Sequence, residues 1–216
     1  MVPRGALIVV SDASARGERV LELGRAAGAA GAWGYQIREP GLGGRELARL
    51  VEALATACPS LRIIVNDRVD VALGSGAFGA ELGERSLAVE RVRGWVGDRL
   101  RLGRSVHDAA GARAAAGGGA DWLVAGHVYP TPAKPGREPL GLRGLGAVVR
   151  AAGGRPVVAI GGIDGSRIGE VLGAGAAGVA VIGAVARAAD PEQAARELVG
   201  ALARACGGSG CVKSSP

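Results

Sequence analysis

The sequence predicts an α/β fold, a single (β/α)8 TIM barrel, on three observations. Eight apolar runs of strand length recur along the 216 residues, and each is followed by a segment of helical spacing. No Asn-Gly or similar hairpin signal joins one run to the next, so the connections read as parallel crossovers. Polar residues stand after nearly every run, and no G-x-G-x-x-G follows the first. Both features argue against an open doubly wound sheet, whose ligand groups gather at one switch point.

Taken in order, ALIVV (6–10) is a continuous apolar strand, closed by the turn SDAS and followed by a helix from about Gly17 to Ala30 with Val20, Leu21 and Leu23 on one side. WGYQIRE (33–39) reads as strand two. RELARLVEALATAC (45–58) places Leu47, Leu50, Val51 and Leu54 at the spacing of an amphipathic helix. Strand three is LRIIVND (61–67) with a short helix at 70–76, and strand four is AFGAELG (77–83) with a helix at 87–97. RLRLGRSV (99–106) and DWLVAG (121–126) are strands five and six, with helices at 108–119 and 142–154. PVVAIGG (156–162) and GVAVIGA (178–184) complete the strands, and helices at 165–176 and 189–205 complete the alternation. The barrel domain therefore spans 1–205, and residues 206–216, rich in Gly and Ser, read as a disordered tail.

Hydrophobic residues make up 48% of the chain but aromatic ones only 3%, so Ala, Val, Leu and Ile must build the core. That composition favours buried parallel strands. The net charge of +6 comes from arginines dispersed beside acids, with no basic run and no aromatic interleaving, which argues against nucleic acid. Cys58, Cys206 and Cys211 have neither a disulfide framework nor metal-ligand spacing. GALIVV is too short for a signal sequence or a membrane span, so the expectation is a cytoplasmic protein without membrane contact. Helix faces rich in Ala and Gly leave room for a homo-oligomer but name no surface.

In such barrels the C-terminal strand ends carry the site. They hold Ser11 and Asp12, then Gln36, Arg38 and Glu39, Asn66 and Asp67, Glu81 and Glu84, and Arg104, Ser105 and His107. His127, one of two histidines, and Lys134, one of two lysines, follow strand six within a loop containing Pro130, Pro132, Pro135 and Pro139. Both read as reaction-centre groups. Gly161-Gly162 and Gly183 stand after strands seven and eight, the usual phosphate position in these barrels. The set suits an anionic small molecule.

QIRE (36–39), IIVNDRVDVAL (63–73), LGRSVH (102–107), GADWLVAGHVYPTPAKPGREPLGL (119–142), PVVAIGGI (156–163) and GAAGVAVIGAV (175–185) resemble the thiamine phosphate synthase/TenI superfamily over nearly the whole chain. The resemblance implies the same barrel and two enzymatic branches. A synthase carries Arg-Glu-Lys after strand two, Asn-Asp after strand three, and a second Asp beyond strand four that completes a magnesium site. Here the first motif reads Arg38-Glu39-Pro40, and Ser86 stands where the second Asp is expected, although Glu84 could substitute.

Gly126-His127-Val128 is instead similar to the TenI branch, whose thiazole tautomerases aromatise a carboxythiazolylidene ethyl phosphate. The expectation is therefore an isomerase of thiamine biosynthesis with no cofactor, in which His127 moves the proton. By the same resemblance Gln36, Asn66 and Ser105 line the ring pocket; a cationic group near the substrate carboxylate would hold it, and Arg38 and Lys134 are the cations available, with either left open as the partner. Thr131, Gly162, Ile182 and Gly183 take the phosphate, with Ala133 where the family has a second threonine. Two alternatives remain: a magnesium-dependent thiamine phosphate synthase joining an aminopyrimidine pyrophosphate to a thiazole phosphate, and a non-catalytic TenI-like regulator.

Overall fold

In the computed structural model, which describes residues 1–12 and 17–207, eight parallel strands pair in sequence order and β8 closes on β1. The strands are β1 Ala6–Val10, β2 Gly34–Ile37, β3 Arg62–Asn66, β4 Gly79–Leu82, β5 Arg101–Val106, β6 Trp122–Gly126, β7 Val157–Ile160 and β8 Gly178–Val181. Around them lie α1 Glu18–Ala29, α2 Gly44–Ala57, α3 Val69–Gly74, α4 Val89–Val96, α5 Ala109–Gly117, α6 Gly141–Ala151, α7 Ile168–Gly173, α8 Gly183–Ala186 and α9 Pro191–Ala205. The (β/α)8 barrel expected from the alternation is the fold observed.

The elements start and stop for local reasons. Asp108 accepts a hydrogen bond from the Gly111 amide at 2.7 Å, and Asp190 accepts one from the Gln193 amide at 3.0 Å with Pro191 opening α9, so both helices begin on capped turns. Leu47, Leu50, Val51 and Leu54 are the buried face of α2, as their spacing predicts. Two details differ from the sequence reading. A 3-10 turn, Gly97–Arg99, follows α4 where strand five was expected to start, and the one-turn helix α8 begins at Gly183, inside the segment read as strand eight. Of the expected tail only Cys206 and Gly207 fall among the described residues.

Period-two alternation sends one half of each strand outward and the other inward. Leu7, Val9, Ile63, Val65, Leu123, Ala125, Val179 and Val181 pack against the helices, whereas Ile8, Val10, Ile64, Trp122, Val124, Val158 and Ala180 fill the barrel. The N-terminal end is closed by Trp33, Phe78 and Trp122, and the Arg62 guanidinium lies 5.2 Å from the Trp33 ring centre. The C-terminal end is left for polar groups.

Gly103 on β5 is dictated by this interior. A methyl group there would sit 2.0 Å from Glu81 Oε2 and 2.2 Å from Trp122 Cε2, both of them buried. Gly103→Ala is expected to destabilise the protein by about 1–3 kcal/mol, the usual penalty for overpacking, in a denaturant titration. An unchanged midpoint would show that this part of the interior is looser than it looks.

Candidate active site

The inward-facing residues at the C-terminal strand ends form a connected polar floor. Register places Val10 beside Gln36, Asn66 beside Glu81, and Ser105 beside Val124, so Gln36, Asn66, Glu81 and Ser105 come from four successive strands. Gln36 Nε2 donates to Asn66 Oδ1 at 2.9 Å, and Asn66 Nδ2 donates to Asp67 Oδ2 at 2.8 Å. Asp67 itself holds a left-handed backbone, φ 59°, an uncommon state that Asp tolerates better than most residues. Its Oδ1 accepts from the Gly83 amide at 2.9 Å and from the Ser86 hydroxyl.

Glu81 lies beneath this floor and is 2% exposed. Trp122 Nε1 donates to its Oε2 at 2.8 Å, and Ser105 Oγ lies 3.1 Å from its Oε1. Burial pushes the carboxyl up to about 8, against the opposing pull of the Ser105 and Trp122 hydrogen bonds.

Above the floor, two loops bring the cations. Ser11 Oγ donates to Glu39 Oε1 at 2.6 Å and accepts from the Arg38 amide at 2.8 Å, so Ser11 and Glu39 fix the turn that carries the exposed Arg38. The proline loop after β6 is tied down at both ends: the Val128 amide donates to the Ile160 carbonyl at 2.9 Å, and the Leu140 amide to the His127 carbonyl at 2.8 Å. Lys134 is half-buried at its tip. Burial and then the Arg137 guanidinium, with Arg38 adding to it, hold the lysine below its ordinary value, while Glu84 works the other way. Lys134 is thus within electrostatic reach of Arg137 and Arg38, and Arg137 lies 3.9 Å from Glu84.

Arg104 donates to the Leu87 carbonyl at 3.0 Å and the Glu84 carbonyl at 3.3 Å, which ties the β4–α4 loop and its Ser86 to β5. His107 contacts the Gly126 carbonyl through Nδ1, and its Nε2 lies 3.5 Å from Glu84. On the far side, Gly161 and Gly162 have φ of 98° and 67°. A side chain at Gly162 would meet the Pro130 carbonyl at 2.7 Å, so glycine is needed for the two loops to touch. Ile182 is the N-cap of α8, and its carbonyl accepts from the Val185 and Ala186 amides at 3.2 and 2.9 Å, so of the first turn only the Gly183 and Ala184 amides lie ahead of the helix's own bonding.

The structure thus brings Gln36, Asn66 and Ser105 onto one floor, and Arg38 and Lys134 within electrostatic reach of each other. Thr131 turns its hydroxyl back toward the Ala133 amide at 3.4 Å. His127 is 6% exposed, and its Nε2 lies 3.2 Å from the Arg137 carbonyl, where the ring ties one limb of the proline loop to the other. Sequence reasoning passed over Arg137, which lies in the matching block GREPLGL but carries no motif, and did not foresee that Glu81 is buried. Among the described residues no helix is long and apolar enough to cross a membrane.

The chain matches the family described as thiamine monophosphate synthase over residues 7–185. It is 38% identical over 213 residues to a thiamine-phosphate synthase of Mycolicibacterium smegmatis, covering 94% of each chain. To one of Chlorobium limicola it is 42% identical over 183 residues, covering 83% of this chain and 87% of that one. Among solved structures, a thiamine phosphate pyrophosphorylase from Pyrococcus furiosus superposes with a TM-score of 0.84 at 35% identity, covering 94% of this chain and 97% of that one.

These comparisons correct the branch. The relatives at 38–42% identity carry the synthase name, so the expected TenI tautomerase, an isomerase, is overturned in favour of a transferase. The proton-shuttling task given to His127 falls with it. Its ring is buried and bonded to a loop carbonyl, a place a histidine can hold without taking part in a reaction.

Proposed function

The chain belongs to the thiamine monophosphate synthase family, and we propose that it is the transferase coupling an aminopyrimidine pyrophosphate to a thiazole phosphate. In that reaction a bond forms from the thiazole nitrogen to the exocyclic carbon of the pyrimidine. The bond from that carbon to the pyrophosphate oxygen breaks, and pyrophosphate leaves with the electron pair. What a protein must supply is position for two rings and stabilisation of the charge that builds on the leaving group.

The observation that carries the reading is the mouth itself, where Arg38, Lys134 and Arg137 converge over a floor of amides and a hydroxyl. A half-buried lysine with the exposed Arg38 and Arg137 in electrostatic reach suits a pyrophosphate better than a monoanion. An aminopyrimidine offers ring nitrogens as acceptors and an amine as donor, which Gln36, Asn66 and Ser105 can pair. The thiazole phosphate would place its phosphate toward Thr131 and the backbone amides of Gly162, Ile182 and Gly183. A thiazole ring, poorer in hydrogen-bonding groups, asks less of the floor. His127 serves as an anchor of the proline loop, holding Lys134 and Arg137 over the mouth.

Magnesium fits this site at the lower limit. Asp67 supplies one carboxylate, Ser86 supplies a hydroxyl beside it, and both are the hard oxygen donors that Mg2+ takes. Among the described residues no group of three or more His, Cys, Asp and Glu side chains could hold a metal, so substrate phosphate oxygens would complete the shell. Bound there, the ion would neutralise the leaving pyrophosphate. Ser86→Asp, which adds a second carboxylate, is expected to lower the magnesium concentration for half-maximal coupling by at least about tenfold, since even an outer partner of a metal ligand changes affinity by that much. An unchanged magnesium dependence would place the ion elsewhere.

The test of the function is direct. Purified protein incubated with both substrates and magnesium should form thiamine phosphate, detected by mass or as its fluorescent oxidation product, and omission of either substrate should abolish it. No product under saturating conditions would remove the assignment.

A further inference from the structure

We propose that Glu81 is a positioning residue for substrate binding, acting through its hydrogen bond to Ser105 to fix the hydroxyl that meets the polar ring. The inference rests on the coupling function and deepens it, because it concerns how the pyrimidine is read.

The interior of the barrel is shaped around this carboxyl. One oxygen is fixed by Trp122 Nε1 at 2.8 Å, the other lies 3.1 Å from Ser105 Oγ, and Gly103 leaves the space that both groups occupy. Trp122 is itself 2% exposed, so it holds Glu81 from a rigid position in the core. Ser105 is only partly buried, and its hydroxyl bonds Glu81. A serine hydroxyl rotates freely and can offer either its proton or its lone pairs. A partner fixed behind it removes that freedom before the substrate arrives, and loss of such preorganisation appears in ring binding before it appears in charge stabilisation.

A buried acid is costly unless it is hydrogen-bonded, and this one is bonded by Trp122 from the core and by Ser105 toward the site. The cations Arg38, Lys134 and Arg137 belong to the two loops above. Asp67 meets Glu81 through the backbone, its amide donating to the Glu81 carbonyl at 2.9 Å, and its carboxylate faces Gly83 and Ser86 instead. Among the described residues, the hydrogen bond that links the Glu81 side chain to the substrate side is the one to Ser105.

Steady-state kinetics and calorimetric binding of the aminopyrimidine pyrophosphate to the full chain test this with Glu81→Ala, Glu81→Gln, Ser105→Ala and the double Ala variant. Glu81→Ala is expected to raise KM and Kd for the aminopyrimidine about five- to twentyfold, the loss of roughly one hydrogen bond, while KM for the thiazole phosphate stays within about twofold. Glu81→Gln, whose amide can serve both Trp122 and Ser105, should restore most of that loss. In the Ser105→Ala background Glu81→Ala should add nothing further.

Unchanged aminopyrimidine binding in Glu81→Ala overturns the proposal. So does an equal loss for both substrates that Gln does not restore, or a full additional loss in the Ser105→Ala background. A wild-type chain that binds the aminopyrimidine but makes no thiamine phosphate would overturn the coupling function alone, because the calorimetric cycle still reads the Glu81–Ser105 coupling. A wild-type chain that fails to bind the aminopyrimidine overturns both.

Discussion

Replacing Lys134 by alanine is expected to lower kcat/KM for coupling by about 10²–10³, the range seen when one preorganised group facing developing charge is removed. The ammonium sits half-buried in the proline loop, pressed by Arg137 and Arg38, and it stays there because the loop is hydrogen-bonded to β7 and to itself. Such an arrangement is unfavourable in the free protein and is relieved when a polyanion arrives. The gain is largest as negative charge collects on the departing pyrophosphate, so most of the loss should fall on kcat. Lys134→Arg keeps the charge and should recover a large part of the activity. A merely solvated loop lysine would behave differently, since exposed charges contribute about 1 kcal/mol or less, and the alanine variant would then lose severalfold at most.

The second large effect concerns stability and pH. Glu81 has an ordinary value of 4.5 and is pushed up to about 8 in the fold by burial. Between those values the unfolded chain releases the proton and the folded chain keeps it, so the unfolded state is favoured as pH rises. The stability that Glu81 contributes is fully present below about pH 4.5 and is lost as pH climbs through about 8. Its upper limit is about 1.4 kcal/mol per pH unit across that window.

Asp67 adds to the upward push and Arg104 opposes it, and both partners are unchanged in Glu81→Gln. The Gln variant cannot ionise, so its Tm should lack the downward slope that the wild type shows from pH 5 to pH 8, and it should be the more stable of the two at pH 8. Parallel Tm curves for the two proteins would show that Glu81 is ionised throughout or is less buried than described.

How far the sequence reaches is clear from particular residues. The alternation of ALIVV, LRIIVND, DWLVAG and the other runs with helical segments was enough for the barrel, because strand and helix periods are local properties of the chain. The polar strand ends were also legible, since a barrel of this kind can put Gln36, Asn66 and Ser105 on only one rim. Glu81 was visible as a strand-end carboxylate, but its burial depends on Trp122, forty-one positions away, and on the space at Gly103.

Arg137 was missed because its place over the mouth comes from the path of a proline loop, which no periodicity encodes. The branch was misread for a related reason. Pro40 and Ser86, in place of a lysine and an aspartate, weighed against pyrophosphate chemistry. Yet Ser86 still engages Asp67 through its hydroxyl, and Lys134 lies within electrostatic reach of Arg137 and Arg38. Single motif positions therefore did not settle the branch that the relatives' names do.

The measurement that bears most directly on the central claim is the stoichiometry of turnover. With both substrates and magnesium present, one pyrophosphate should appear for each thiamine phosphate along the same time course, and neither should form when the thiazole phosphate is left out. Absence of thiamine phosphate, or release of pyrophosphate without it, would contradict the assignment of this barrel as a coupling enzyme.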